Sequence, residues 1–87
     1  KTRLMIDIKT LALEIANNFN EMKLLEINYN NGEEVFGQVD RVPDDPMIIY
    51  IRKRIVKVGE NSLHKLDYNR LKKVTITYYQ REQKVFE

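Results

Sequence analysis

The lone His64, the carboxylate pairs Glu33-Glu34 and Asp44-Asp45, and the basic runs "IRKRIVKV" and "HKLDYNRLKK" are the reactive or charged features that stand out in this chain. A metal site or a nucleophile–base pair needs partners for the histidine, yet there is no second histidine and no cysteine. Disulfides, thiolate nucleophiles and Cys-based zinc sites are therefore excluded. Paired carboxylates serve acid–base or metal chemistry when both aim at one point, whereas adjacent residues on a strand point to opposite faces. Both pairs flank turn signals, and turn-forming or solubilising roles suit them better. The sequence contains no phosphate-cradling Walker loop, dinucleotide fingerprint or nucleophile elbow. It reads as a non-enzyme, with no catalytic residue, no metal, no cofactor and no small-molecule substrate.

Binding is the chemistry that is left. Arg52, Lys53, Arg54 and Lys57 form a basic rim beside Tyr50, a combination that contacts phosphates and stacks a base. Tyr68, Tyr78 and Tyr79 are amphipathic aromatics of the kind enriched at protein interfaces. The net charge of +2 and a pI near 8.9 fall short of the basic domains in which charge alone argues for nucleic acid. Lysines and arginines also keep strand edges solvated. A protein partner or a homo-oligomer is the expected association, with nucleic acid as the rival. No apolar run approaches the roughly 18 residues of a membrane span, and no secretory signal is present. Together with the absence of cysteine, this suggests a cytoplasmic protein with no membrane partner. The chain starts at Lys1 rather than methionine, which leaves room for a processed or omitted leading segment.

These residues must be positioned by elements that 87 residues can build, which is a single domain with one core. Leu4, Ile8, Leu11, Ile15, Phe19 and Met22 recur in steps of three and four, one stripe of an amphipathic helix over about 4–22. Ala12 and Ala16 widen the stripe, and Asp7 or Thr10 supplies the cap. The period then changes to two. "LLEINYNNG" puts Leu25, Ile27 and Tyr29 on one face and ends in Asn31-Gly32, which favours a type I′ hairpin turn. "EEVFGQVDRV" follows, with Val35, Gly37 and Val39 on one face and Phe36 on the other, before "PDDP" ends the segment. "MIIYI", "RIVKV" and "LHKL" read as further strands, with "GENS" as a turn. "DYNRL" suggests a short helical turn before the closing strand "KKVTITYY", and the polar tail 81–87 frays, extends that strand or forms a helical end. A helix followed by five or six short strands over about 23–80 is an α+β antiparallel sheet curled into an Sm/SH3-like small barrel, the helix covering its mouth. Gly37 fits the sharp bend of the second strand, where a Cβ would crowd the neighbouring backbone.

"NGEEVFGQV" resembles the first Sm motif, in which a turn glycine is followed five residues later by a bend glycine, with apolar positions at Val35 and Val39. "LDYNRLKKVTI" loosely resembles the second motif, and the order of helix then strands is similar to that of Sm proteins. Sm proteins follow the bend with an aspartate and an asparagine that help to bind uridine. Here the stretch reads "RVPDDPMII", and that pocket does not carry over. Residues 11–76 also resemble YolD-like proteins of Gram-positive bacteria, phages and plasmids. That resemblance implies a small accessory or regulatory protein acting through protein contacts, linked to DNA damage responses or a mobile element, and it transfers no catalytic residue. An Sm-like RNA- or DNA-binding module using the basic rim and a small phage-type inhibitor of a host enzyme are the alternative readings.

Overall fold

The computed structural model describes residues 6–41 and 44–87. Among them the chain forms α1 (Ile8–Asn18), a 3-10 turn (Phe19–Glu21), β1 (Met22–Tyr29), β2 (Glu34–Val39), β3 (Tyr50–Lys53), β4 (Leu63–Lys65), a second 3-10 turn (Tyr68–Arg70), β5 (Leu71–Tyr78) and β6 (Lys84–Phe86). This is an α+β arrangement of one helix and one antiparallel sheet, with strand order β4-β3-β2-β1-β5-β6. The ladder leaves β4 and β6 as its two ends, and the sheet is not closed. No helix among the described residues is long and apolar enough to cross a membrane.

Asp7 caps α1, its Oδ1 accepting the Thr10 N–H at 3.1 Å. Leu11, Ala12 and Ile15 are fully buried in the core, and Ile8 and Phe19 pack beside them half-exposed. The helix is shorter than its apolar stripe suggests. It breaks at Asn18 (φ −130°, ψ 13°), and Met22 opens β1 instead. Met22 is nevertheless buried in the same core, because a register irregularity between Met22 and Leu24 lets a residue three before Leu25 share its inward side, which regular alternation would not. Leu4 lies outside the described residues.

The first hairpin corrects the expected type I′ turn. Gly32 has φ +90°, but no described non-glycine residue has positive φ, so Asn31 stays in an ordinary conformation. The Gly32 N–H donates to the Tyr29 carbonyl at 3.1 Å across Asn30 and Asn31, and the Tyr29 N–H donates to the Glu33 carbonyl at 2.9 Å. The four-residue loop thus places an ordinary turn first and uses glycine only for the left-handed step that returns the chain to β2.

Gly37 is where β2 changes partner. Residues 34–37 pair with β1, and residues 37–39 pair with β3. A Cβ on Gly37 would lie 2.1 Å from the Arg52 carbonyl oxygen and 2.9 Å from Ile51 Cγ2, a separation that no side chain tolerates. Beyond this point the Lys23 carbonyl of β1 accepts instead from the Gln38 side-chain amide, at 3.1 Å. The handover also explains why "RIVKV" is not a strand. β3 stops at Lys53, one further bond runs from the Arg54 N–H to the Phe36 carbonyl at 2.8 Å, and residues 54–62 leave the sheet as a loop. The polar tail, by contrast, returns as β6 along β5, setting Phe86 opposite Val74.

Gly37→Ala is expected to cost about 3 kcal/mol, the upper end of overpacking penalties, because the methyl group meets a backbone oxygen. Gly32→Ala has open space but the wrong φ, and is expected to cost about 1 kcal/mol. Urea unfolding that ranks the two the other way would remove the close-approach account of Gly37. In the same assay Ile15→Ala is expected to cost about 2–5 kcal/mol, as for other fully buried aliphatics. A loss well below that would mean α1 is not part of the folding core.

Candidate functional site

Strand alternation divides the basic rim. Ile51 is buried, so Tyr50 and Arg52 face outward, and Lys53 shares the inward side with Ile51. Opposite them in β4, Lys65 pairs with Tyr50 and Leu63 with Arg52, on the same outward face. Arg52 is held by Asp40, with Nη2 at 2.5 Å and Nε at 3.1 Å from Oδ1. That hydrogen-bonded guanidinium keeps the Asp40 carboxyl below its usual range. Lys53 Nζ lies 3.3 Å from Glu60 Oε1, which also accepts the Lys57 backbone N–H at 3.1 Å. Arg54 and Lys57 sit in the loop beyond β3, and neither side chain has an ion-pair partner among the described residues. The five residues singled out in the sequence therefore do not form one phosphate-facing row. Two of the four cations already have carboxylate partners, and Lys53 lies on the opposite face of β3 from Tyr50 and Arg52.

The three tyrosines also separate. Tyr68 is buried and its hydroxyl donates to the Pro46 carbonyl at 3.0 Å; burial pushes its pKa up to about 12. Tyr78 is buried, donates to a Glu14 carboxylate oxygen, and carries Arg81 over its ring at 4.4 Å. Burial first, and then that carboxylate, raise its pKa. Only Tyr79 is exposed, its hydroxyl 3.4 Å from the Gln38 amide nitrogen. Tyr68 and Tyr78 are fixtures of the core, which leaves Tyr79 alone available to a partner.

The carboxylate pairs act singly. Glu33 reaches Arg70 at 3.4 Å, and Asp45 accepts the Met47 N–H at 2.9 Å within its own turn. No cluster of three or more metal-ligating side chains occurs among the described residues.

No protein-family model, curated protein or solved structure matches the chain.

One polar cluster escaped the sequence reading. The Tyr29 side chain reaches from β1 to the β4–β5 connection, where its oxygen accepts the Asp67 N–H at 3.1 Å and lies 2.5 Å from His64 Nε2. The hydroxyl proton needs an acceptor, and an N–H cannot be one, so it goes to Nε2 and leaves the His64 proton on Nδ1. Arg70 stacks over the Tyr29 ring at 4.5 Å and bonds Asp67 at 2.7 Å, while Asp67 caps the turn through the Asn69 N–H at 3.0 Å. A tyrosine on an apolar strand face was the one available signal, because its hydroxyl requires a partner somewhere.

Burial lowers the His64 pKa from its ordinary 6.5, so the unfolded chain binds that proton more tightly than the folded one. The His64 contribution to stability is accordingly complete above about pH 6.5 and lost as the pH falls from there through the lower folded value. Melting temperature is expected to drop between about pH 7.5 and pH 5.5, and less so in His64→Gln, which keeps an acceptor for Tyr29 without the titration. The carboxylates of lowered pKa, Asp7, Glu14, Asp40, Glu60 and Asp67, have ordinary values of 3.8 or 4.5 and titrate below this window. Identical pH profiles for the two proteins would show that His64 is not held neutral.

Proposed function

We propose that this chain is a non-enzymatic accessory binding protein that acts through protein contacts made by the outward face and free edge of the β3–β4 hairpin. The observation that carries this reading is the distribution of exposed apolar side chains. Of the ten exposed large hydrophobics among the described residues, seven lie between Met47 and Leu63. Ile48, Tyr50 and Leu63 stand on the outward side of the hairpin beside β4, a three-residue strand with no neighbour on its far side. Backbone donors and acceptors along such an edge accept an added strand, and apolar residues beside it supply the contact area. The partner change of β2 at Gly37 supports the Sm/SH3-like curvature that goes with this reading. A connection to DNA damage responses or a mobile element rests on the YolD-like resemblance alone.

Direct nucleic-acid binding is the rival, and the Asp40–Arg52 and Glu60–Lys53 pairs count against it. A photo-crosslinking residue placed at Tyr50 or Leu63 in the native host is expected to give a discrete protein adduct, and one at Lys9 on the helix is not. Fluorescence anisotropy with single-stranded RNA and DNA is expected to show no sub-micromolar binding at physiological salt. Any residual binding through Arg54 and Lys57 should give a log–log salt slope no steeper than about −2. Nucleic-acid adducts at position 50, or a steeper slope abolished by Arg52→Glu, would replace the protein-contact reading with its rival.

A further inference from the structure

The loop 54–62 holds the two most exposed large apolar side chains of the described residues, Val58 at 106% and Ile55 at 72% accessible, with Val56 at 41% between them. It is a built loop. The Glu60 N–H donates to the Lys57 carbonyl at 3.0 Å, and its carboxylate accepts from the Lys57 N–H and the Lys53 ammonium. Below it the stem is closed by the Lys53 N–H to the Ser62 carbonyl at 2.9 Å and the Leu63 N–H to Asn61 Oδ1 at 3.0 Å. Gly59, at φ +86°, turns the chain at the tip. These bonds hold Val58 and Ile55 out in water on a prong at the end of the hairpin, uncovered or largely uncovered by the described residues, with Val56 partly sheltered between them.

Charge is concentrated at the same place. Residues 47–65 carry five basic side chains and one acid, Glu60, for a net +4 in a chain whose total is +2, which leaves −2 elsewhere. Glu60 is bonded to Lys53, and Arg54 and Lys57 directly flank the apolar residues without carboxylate partners among the described residues. We propose that this prong inserts into the surface of an anionic lipid bilayer, Val58 and Ile55 entering the headgroup–acyl boundary while Arg54 and Lys57 meet lipid phosphates. The apolar tip and its adjacent cations supply the two contributions that a peripheral contact needs. A fluid surface requires no shape complementary to the prong. A protein cleft would, and loop 54–62 has none of the aromatic anchors that dominate such sites. A second copy docked tip to tip would oppose like charges. The proposal stands on the loop alone and is independent of the reading of the hairpin's outward face. The lack of a spanning segment does not bear on it, because peripheral insertion needs none.

Since the chain has no cysteine, Val58→Cys carrying an environment-sensitive dye reports on the tip alone, with Lys9→Cys on α1 as control. Vesicles of phosphatidylcholine containing about one-third phosphatidylserine are expected to shift the tip dye to the blue and not the control. In co-sedimentation the unlabelled protein is expected to bind these vesicles and not pure phosphatidylcholine. The double variant Ile55→Ser, Val58→Ser should lose binding, and Arg54→Gln and Lys57→Gln should each weaken it roughly five-fold. All four side chains are exposed, and unchanged melting will show that the variants remain folded. Three results would overturn insertion: no co-sedimentation with phosphatidylserine vesicles, binding that survives the double serine variant, or equal shifts at both labels. The first would leave the prong to a protein partner, and the second would reduce it to adsorption by charge.

Discussion

A missing methyl group organises this sheet. At Gly37 the backbone of β3 approaches β2 so closely that the Arg52 carbonyl occupies the space of a side chain. β2 can therefore pass from pairing with β1 to pairing with β3 at a single residue. Leu25, Ile27, Val35, Ile51, Val74 and Ile76 of the sheet share one buried cluster with Leu11 and Ile15 of the helix. Only residues 37–39 of β2 pair with β3, β4 ends the ladder as a short strand, and loop 54–62 extends beyond it.

Two tyrosine–arginine clusters close this interior where strands end. Tyr29 joins β1 to the turn before β5 through Asp67 and His64, and Tyr78 joins the end of β5 to α1 through Glu14. In each, an arginine lies over the phenol ring and is itself tied to a carboxylate, Arg70 to Asp67 and Arg81 to Glu21. Burial works to raise Glu14, but the bonds from Tyr78 and Lys84 outweigh it and keep its carboxyl below the usual range. The pattern lets large aromatic rings fill the core without stranding their hydroxyls, and no buried side-chain polar atom among the described residues lacks a partner.

Seven of the ten exposed large hydrophobics among the described residues lie on and around the β3–β4 hairpin, between Met47 and Leu63. Its outward face and its tip differ in kind. The face, where the protein contact is proposed, sets Ile48, Tyr50 and Leu63 beside a free strand edge and an Arg52 paired with Asp40. The tip sets small aliphatic residues among uncompensated cations. A mildly basic net charge conceals this polarity, because the rest of the chain is slightly acidic.

Local pattern alone determined the order of a helix then antiparallel strands, the inward face of β1, a cap at Asp7 or Thr10 and the need for glycine at position 37. Each depends on periodicity or on a conformation that neighbouring residues dictate. Tertiary structure decided what depended on distant partners. Whether "RIVKV" pairs turned on where β2 bends, since β propensity makes no strand without a neighbour to bond. The fate of the polar tail turned on the free side of β5. Arg52 and Lys53 read as open cations until Asp40 and Glu60 were brought within bonding distance, and Tyr68 and Tyr78 read as interface aromatics until Pro46 and Glu14 met their hydroxyls. Glu14 and Tyr78 are 64 residues apart, and Tyr29 and His64 are 35 apart. Such pairings leave no periodic trace in the sequence, because they are set by the path of the folded chain.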